Sequence, residues 1–126
     1  MNKFGIIIIS ITLLILGLGA FVLTKPAKTI PIPEREKDTY EYFWGNGCPH
    51  CANVQTFMDS WDKKDKIKIK KYEVWYNKDN AQIMKDRFSS CPKGTVNGTM
   101  AVPLLVTPDN KCFMGDETII NYYKSL

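Results

Sequence analysis

The stretch Trp44–Trp61, WGNGCPHCANVQTFMDSW, decides how the rest of the chain is read. Two cysteines, Cys48 and Cys51, stand two residues apart with Pro49 and His50 between them. The Gly-Asn-Gly before them breaks an aromatic, half-alternating run, TYEYFW at 39–44, which reads as a strand. After them Val54, Phe57, Met58 and Trp61 fall at i, i+3, i+4 and i+7, one apolar face of a helix ending near Asp62. Cys48 therefore sits where a strand gives way to a helix. A helix N-terminus presents unpaired N–H groups and roughly half a positive charge, which stabilise a thiolate. Pro49 suits the first helical turn, where its missing N–H has no partner to lose. Cys51 lies one turn further in, within disulfide reach of Cys48 and more deeply placed. That pairing suits an attacking thiol and a resolving thiol.

Metal binding competes with this reading. A structural zinc needs about four ligands, and Cys48, Cys51, Cys91 and Cys112 number four, with His50 in reserve. Cys91 and Cys112 are 21 positions apart, however, and fall on different expected elements, so they make no second C-x-x-C pair. A purely structural Cys48–Cys51 bridge is disfavoured because so short a loop constrains the unfolded chain least. No cofactor is expected.

Outward from the cysteines, the chain divides into three parts. Phe4 to Leu23 carries no charge and, at about 1.5 Å per residue, spans roughly the 30 Å of a bilayer core. It reads as a transmembrane anchor at 1–23, with a cleaved signal as second choice, because a signal's apolar stretch is usually about 7–15 residues. Residues 24–37, TKPAKTIPIPEREK, read as an extended, solvated linker rich in proline and charge. Residues 38–126 form the domain. They hold 12 Lys/Arg and 11 Asp/Glu, a net charge of +1. That balance argues against a nucleic-acid partner, and the run KKDKIKIKK at 63–71 reads as a helix end followed by a strand whose lysines face water. Lys25, Lys28, Arg35 and Lys37 after the span would by themselves favour a cytoplasmic domain. Four cysteines in about 90 residues favour an oxidising compartment, and on that ground the domain is placed on the extracytoplasmic side.

Within the domain, Ile67–Tyr76 reads as a second strand with Ile67, Ile69, Val74 and Trp75 available to the core. Its alternation slips at Lys70-Lys71, marking a bulge or a strand end. Asn77–Phe88 reads as a helix with Asp79 and Gln82 as a capping box, stopped by Pro92. Leu104–Thr107 and Lys111–Met114 read as strands joined by a Pro108-Asp109-Asn110 turn, and Asp116 caps a last helix. The order is β-α-β-α-β-β-α, an α/β sheet with flanking helices. Its first two strands are parallel and its last two antiparallel. Cys91 ends the second helix and Cys112 lies on the returning strand. They are expected to form a structural disulfide whose loop of about 20 residues contributes roughly 3 kcal/mol, two buried free thiols being the alternative.

A strand, CPHC opening a helix, this element order and Val102-Pro103 at the start of the third strand resemble the thioredoxin superfamily. The CPHC form resembles DsbA-type thiol oxidases, on a minimal, glutaredoxin-sized core. The resemblance covers about Thr39 to Leu126. It implies a thiol-disulfide oxidoreductase that exchanges disulfides with cysteines of exported proteins, with oxidase and reductase directions both open. By position Cys48 resembles the attacking thiol and Cys51 the resolving one. Pro103 resembles the cis-proline that faces the disulfide and, with Val102, helps bind extended substrate. Pro49 and His50 modulate the pair, and His50 is expected to favour the oxidising direction by stabilising the Cys48 thiolate. An oxidase of this kind is expected to be recharged by a quinone-linked membrane protein. Such proteins usually carry a buried acid six residues before the first cysteine. Here that position is Tyr42, and Glu41 falls on the other face of the strand.

Overall fold

A computed structural model describes residues 2–23, 30–96 and 98–126. The chain separates into two compact units, 1–30 and 31–126. In the first, α1 (Lys3–Leu23) is a helix of 21 residues that is apolar all round. Lys3–Phe21 is long and apolar enough to cross a membrane. Thr12 turns its hydroxyl back onto the Ile8 carbonyl at 2.9 Å, so the polar atom is satisfied within the helix. The first half of the expected linker, Thr24–Thr29, lies outside the described residues.

The second unit runs β1 (Thr39–Trp44), α2 (Pro49–Ser60), a 3₁₀ turn at Lys64–Lys66, β2 (Lys68–Glu73), α3 (Lys78–Ser89), β3 (Leu104–Val106), β4 (Cys112–Met114) and α4 (Asp116–Ser125). Its four strands form one mixed sheet in the order β2-β1-β3-β4. β1 is parallel to β2, β3 is antiparallel to β1, and β4 is antiparallel to β3. This is a thioredoxin-like arrangement, as the order of elements in the sequence implies.

Period-two alternation sorts the sheet's side chains into two cores. Tyr42 and Leu105 face α2 and α4, where they meet Val54, Met58, Trp61, Ile119 and Tyr123. Phe43, Leu104 and Val106 face the opposite way and pack with Tyr72, Ile83, Met84 and Cys112. Phe43 and Tyr72, cross-strand partners, stack with ring centroids 5.0 Å apart.

Several local expectations change. The slip at Lys70-Lys71 is neither a bulge nor a strand end, because β2 pairs with β1 without interruption from Lys68 to Glu73. Lys71 simply occupies a position on the same face as its partner Tyr42. Trp75 leaves the core: it follows the strand and is 53 % exposed. The α3 cap is Asn77, whose side chain accepts the N–H groups of Asp79 and Asn80 at 3.0 Å each. Asp79 is thus inside the first turn rather than at the cap. In α4 the cap position belongs to Gly115, with φ +92°, and the side chain of Asp116 is used elsewhere.

The second half of the expected linker is not a free tether. The buried Arg87 guanidinium donates to Glu41 at 2.8 Å and to the Pro33 carbonyl at 2.7 Å. Arg35 donates to the same carboxylate at 3.0 Å and to the Thr107 carbonyl at 2.7 Å. Glu41 is nearly fully buried, so both cations are needed to offset its desolvation. The pairings hold residues 33–35 against the sheet.

Candidate functional site

The C-terminal end of β1 delivers the two cysteines. Trp44 is the last strand residue, and the chain then turns through Gly45–Gly47, with the Cys48 N–H bonded to the Gly45 carbonyl at 3.1 Å. Gly47 has φ +88°, a conformation that favours glycine. Cys48 is the N-cap of α2, and its Sγ accepts the Cys51 N–H at 3.1 Å. Pro49 occupies the first helical turn. Cys48 and Cys51 are joined as a disulfide with Cα atoms 5.2 Å apart. Both are buried, at 6 % and 4 % exposure, so a partner sulfur has a narrow approach.

His50 lies on the solvent side. Its Nδ1 is 3.1 Å from Asp116 Oδ1, and Asn53 Nδ2 donates to Asp116 Oδ2 at 2.6 Å. The Asn53 amide and then the His50 ring hold the Asp116 carboxyl down at about 2. His50, one of the two residues between the cysteines, is thereby tied to the first turn of α4, 66 residues later in the chain.

Pro103 is fully buried, and its bond with Val102 is cis. It immediately precedes β3, whose Leu104 pairs with Phe43, so it lies at the same end of the sheet as the Cys48 turn. Its carbonyl accepts the Gly115 N–H at 3.0 Å, which links it to the start of α4. Cys91 and Cys112 are joined as a second disulfide, with Cα atoms 5.8 Å apart. It lies off this site: Cys112 pairs with Val106 and packs in the core on the α3 face.

Beside the disulfide is a cavity of about 410 Å³, lined by Tyr42, Trp44, the turn into Cys48, Cys51, Gln55 and Lys71. Tyr42 stands six residues before Cys48, where the proteins that the sequence resembles usually carry a buried acid. Its hydroxyl reaches the Cys51 carbonyl at 3.5 Å. Burial, and then the charge of Asp116, push its phenol up, which keeps it neutral across the physiological range. Glu41 is on the opposite face and is committed to Arg35 and Arg87. The cavity wall instead carries Asn46, Gln55 and Lys71, with Lys71 Nζ donating to Gln55 Oε1 at 2.7 Å.

Glu73, the last residue of β2, braces the turn before Cys48. Its Oε1 accepts the N–H groups of Asn46 (3.2 Å) and Trp75 (2.9 Å). Its Oε2 accepts those of Tyr76 (3.0 Å) and Asn77 (3.2 Å). Burial opposes ionisation of this carboxyl, but the four N–H groups outweigh it and hold Glu73 below the ordinary carboxylate range. One side chain thus ties the turn before Cys48 to the turn before α3.

Cys48, Cys51, Pro49, His50 and Pro103 were readable as candidates from their spacing or resemblance. Lys71, Glu73 and Asp116 were not. The one trace of Lys71 was the break in alternation. Among the described residues, no three of His, Cys, Asp and Glu converge as a metal-ligand cluster. No family matches the chain, and no characterised protein or solved structure matches it.

Proposed function

We propose that the protein is a membrane-anchored thiol-disulfide oxidoreductase acting on cysteines of exported proteins, and that it works as an oxidase. The observation that carries the reading is Cys48 at the N-cap of α2, with its sulfur taking the Cys51 N–H at 3.1 Å. A substrate thiolate attacks Cys48 Sγ, the Cys48–Cys51 bond breaks, and Cys51 leaves as a thiolate that takes up a proton. A second substrate thiolate then attacks the substrate sulfur of the mixed disulfide. Cys48 leaves as a thiolate stabilised by the helix N-terminus. Two substrate thiols have become one disulfide, and the Cys48/Cys51 pair has taken up the two electrons. A quinone-linked membrane protein would take them onward. The N-terminal apolar helix and the two disulfides point to an extracytoplasmic setting, and α1 is the anchor.

In this reading Val102 and Pro103 contact extended substrate, and the Cys91–Cys112 bridge supports the fold. His50 biases the pair toward oxidation, because a ring N–H or charge favours the Cys48 thiolate, which exists only in the reduced form. Each pKa unit of thiolate stabilisation raises the potential by roughly 30 mV. Equilibration of the Cys48/Cys51 pair with defined dithiol buffers tests direction. A potential above about −180 mV fits an oxidase, and one near about −270 mV makes the protein a reductase. His50→Gly is expected to make the pair more reducing. Brief alkylation of reduced protein at mildly acidic pH should label Cys48, and preferential labelling of Cys51 would reverse the roles.

A further inference from the structure

Asp116 spends its carboxylate on another helix. It stands in the first turn of α4, where the N-cap is Gly115 and brings no side chain. Both carboxylate oxygens are engaged by α2: Asn53 Nδ2 donates to Oδ2 at 2.6 Å, and His50 Nδ1 lies 3.1 Å from Oδ1. His50 and Asn53 are three positions apart, which places them on one face of α2. The start of α4 is fixed in turn, because the Gly115 N–H is bonded to the Pro103 carbonyl at 3.0 Å. An ionised carboxylate only accepts hydrogen bonds, so the proton of a neutral His50 ring sits on Nδ1 and the lone pair on Nε2. The His50 side chain is 68 % exposed, so the ring is open to a group that comes from solvent to Cys48, two residues away in the chain. Tyr42, from β1, stays neutral beside Asp116. Glu117 gives Asp116 its backbone N–H, and Lys71, from β2, donates to Gln55. Cys48 and Cys51 are bonded to each other until the attack.

We propose that Asp116 is a positioning residue: it holds His50 so that Nε2 takes the proton of the substrate thiol that attacks Cys48. The inference rests on the thiol-disulfide reading and assigns the proton transfer within it. The substrate S–H bond breaks as its proton passes to Nε2, and the substrate sulfur bonds to Cys48 Sγ. The Cys48–Cys51 bond breaks, and its electron pair leaves on Cys51. The His50 proton then returns to water, and Cys51 draws one from water. A base oriented through its second nitrogen by another group is an arrangement that activates nucleophiles. A cysteine thiol ionises near about 8.5, so at neutral pH its attack is limited by the small thiolate fraction unless a base stands beside it.

The test follows reduction of the Cys48–Cys51 bond in the full chain, in lipid nanodiscs, by a short Ser/Gly peptide with two cysteines. Unassisted, such a peptide slows about eightfold from about pH 8 to about pH 7, because its thiolate fraction falls by that factor. The parent should slow less than about twofold over this interval. Asp116→Asn and His50→Gly should each slow at least about fourfold, and the double variant no more than either. Far-ultraviolet circular dichroism checks that each is folded. Asn53→Ala keeps the acid in α4 but frees one of its oxygens, and it should steepen the pH dependence in the same direction. Should Asp116→Asn fail to fold, Asn53→Ala decides, and an unmoved profile overturns the proposal. A parent as steep as the unassisted peptide overturns it, and so does an Asp116→Asn variant as shallow as the parent. Losses that multiply in the double variant would show that Asp116 acts apart from His50, and would overturn it too. A parent that exchanges no disulfide at all sinks the thiol-disulfide reading and this proposal together, whereas an active parent whose profile ignores Asp116 sinks the proposal alone.

Discussion

The domain holds two disulfides built in opposite ways. Cys48 and Cys51 are three positions apart at the start of a helix. Cys91 and Cys112 are 21 apart and join the end of one helix to a strand. The short bridge removes little entropy from the unfolded chain and therefore contributes least to stability. Its setting instead favours the reduced state, because the helix N-terminus and the Cys51 N–H both stabilise a thiolate at Cys48. The long bridge has the reverse character. Its loop of about 20 residues is worth roughly 3 kcal/mol, and Cys112 is packed in an apolar cluster with Phe43, Leu104 and Val106. On the function proposed above, sequence separation and helix position together sort the same chemical bond into an exchanging pair and a brace.

Breaking one bond at a time sharpens the contrast. Cys48→Ser should abolish disulfide exchange while leaving the midpoint of denaturant unfolding nearly unchanged. A variant that unfolds early would show that the short bridge is a staple. Replacing Cys91 and Cys112 together with Ala should lower stability by roughly 3 kcal/mol, read as a drop in the urea midpoint at constant slope, with exchange retained in the fraction that is folded. Loss of exchange in fully folded protein would place the second bridge inside the mechanism.

A smaller effect is expected at the turn. Gly45→Ala forces the Trp75 indole from its seat, since Gly45 itself has no unusual φ to lose. Overpacking of this kind costs about 1–3 kcal/mol, and near-ultraviolet circular dichroism should report the moved indole. Full stability with an unmoved Trp75 would show that the turn yields instead.

The smallest effect concerns Asp116. Its folded carboxyl sits at about 2, below its usual 3.8, through Asn53 and His50. A depressed carboxyl contributes stability that is fully present above about pH 4 and is lost as pH falls toward 2. The parent's advantage over Asp116→Asn should therefore shrink across that window. A difference that stays constant with pH would mean the His50–Asp116 contact carries no linkage.

Much of this was legible because it is local. TYEYFW becomes β1 at its expected limits, and CPHC lies at a helix start because Gly-Asn-Gly and Pro49 punctuate the chain there. The places where local reading failed are instructive. Asp116 looks like a cap, but Gly115 takes that position and the carboxylate goes to Asn53 and His50. Lys71 looks like a strand fault, yet the register is regular and the lysine lines the cavity beside the disulfide.

The sequence by itself determined the apolar N-terminal helix, the order of strands and helices, and the placement of Cys48 at a helix N-terminus. Each depends on residues within one or two turns of each other, where propensity and periodicity act directly. Tertiary structure decided what surrounds the sulfur atoms. Glu73 reaches back 27 positions to Asn46, Asp116 reaches 66 to His50, and Glu41 reaches 46 to Arg87. Trp75 is turned outward by the end of β2 and settles on Gly45. Such contacts leave no periodic trace, because a carboxylate or an indole is satisfied by whichever distant donors or surfaces the closed sheet brings to it.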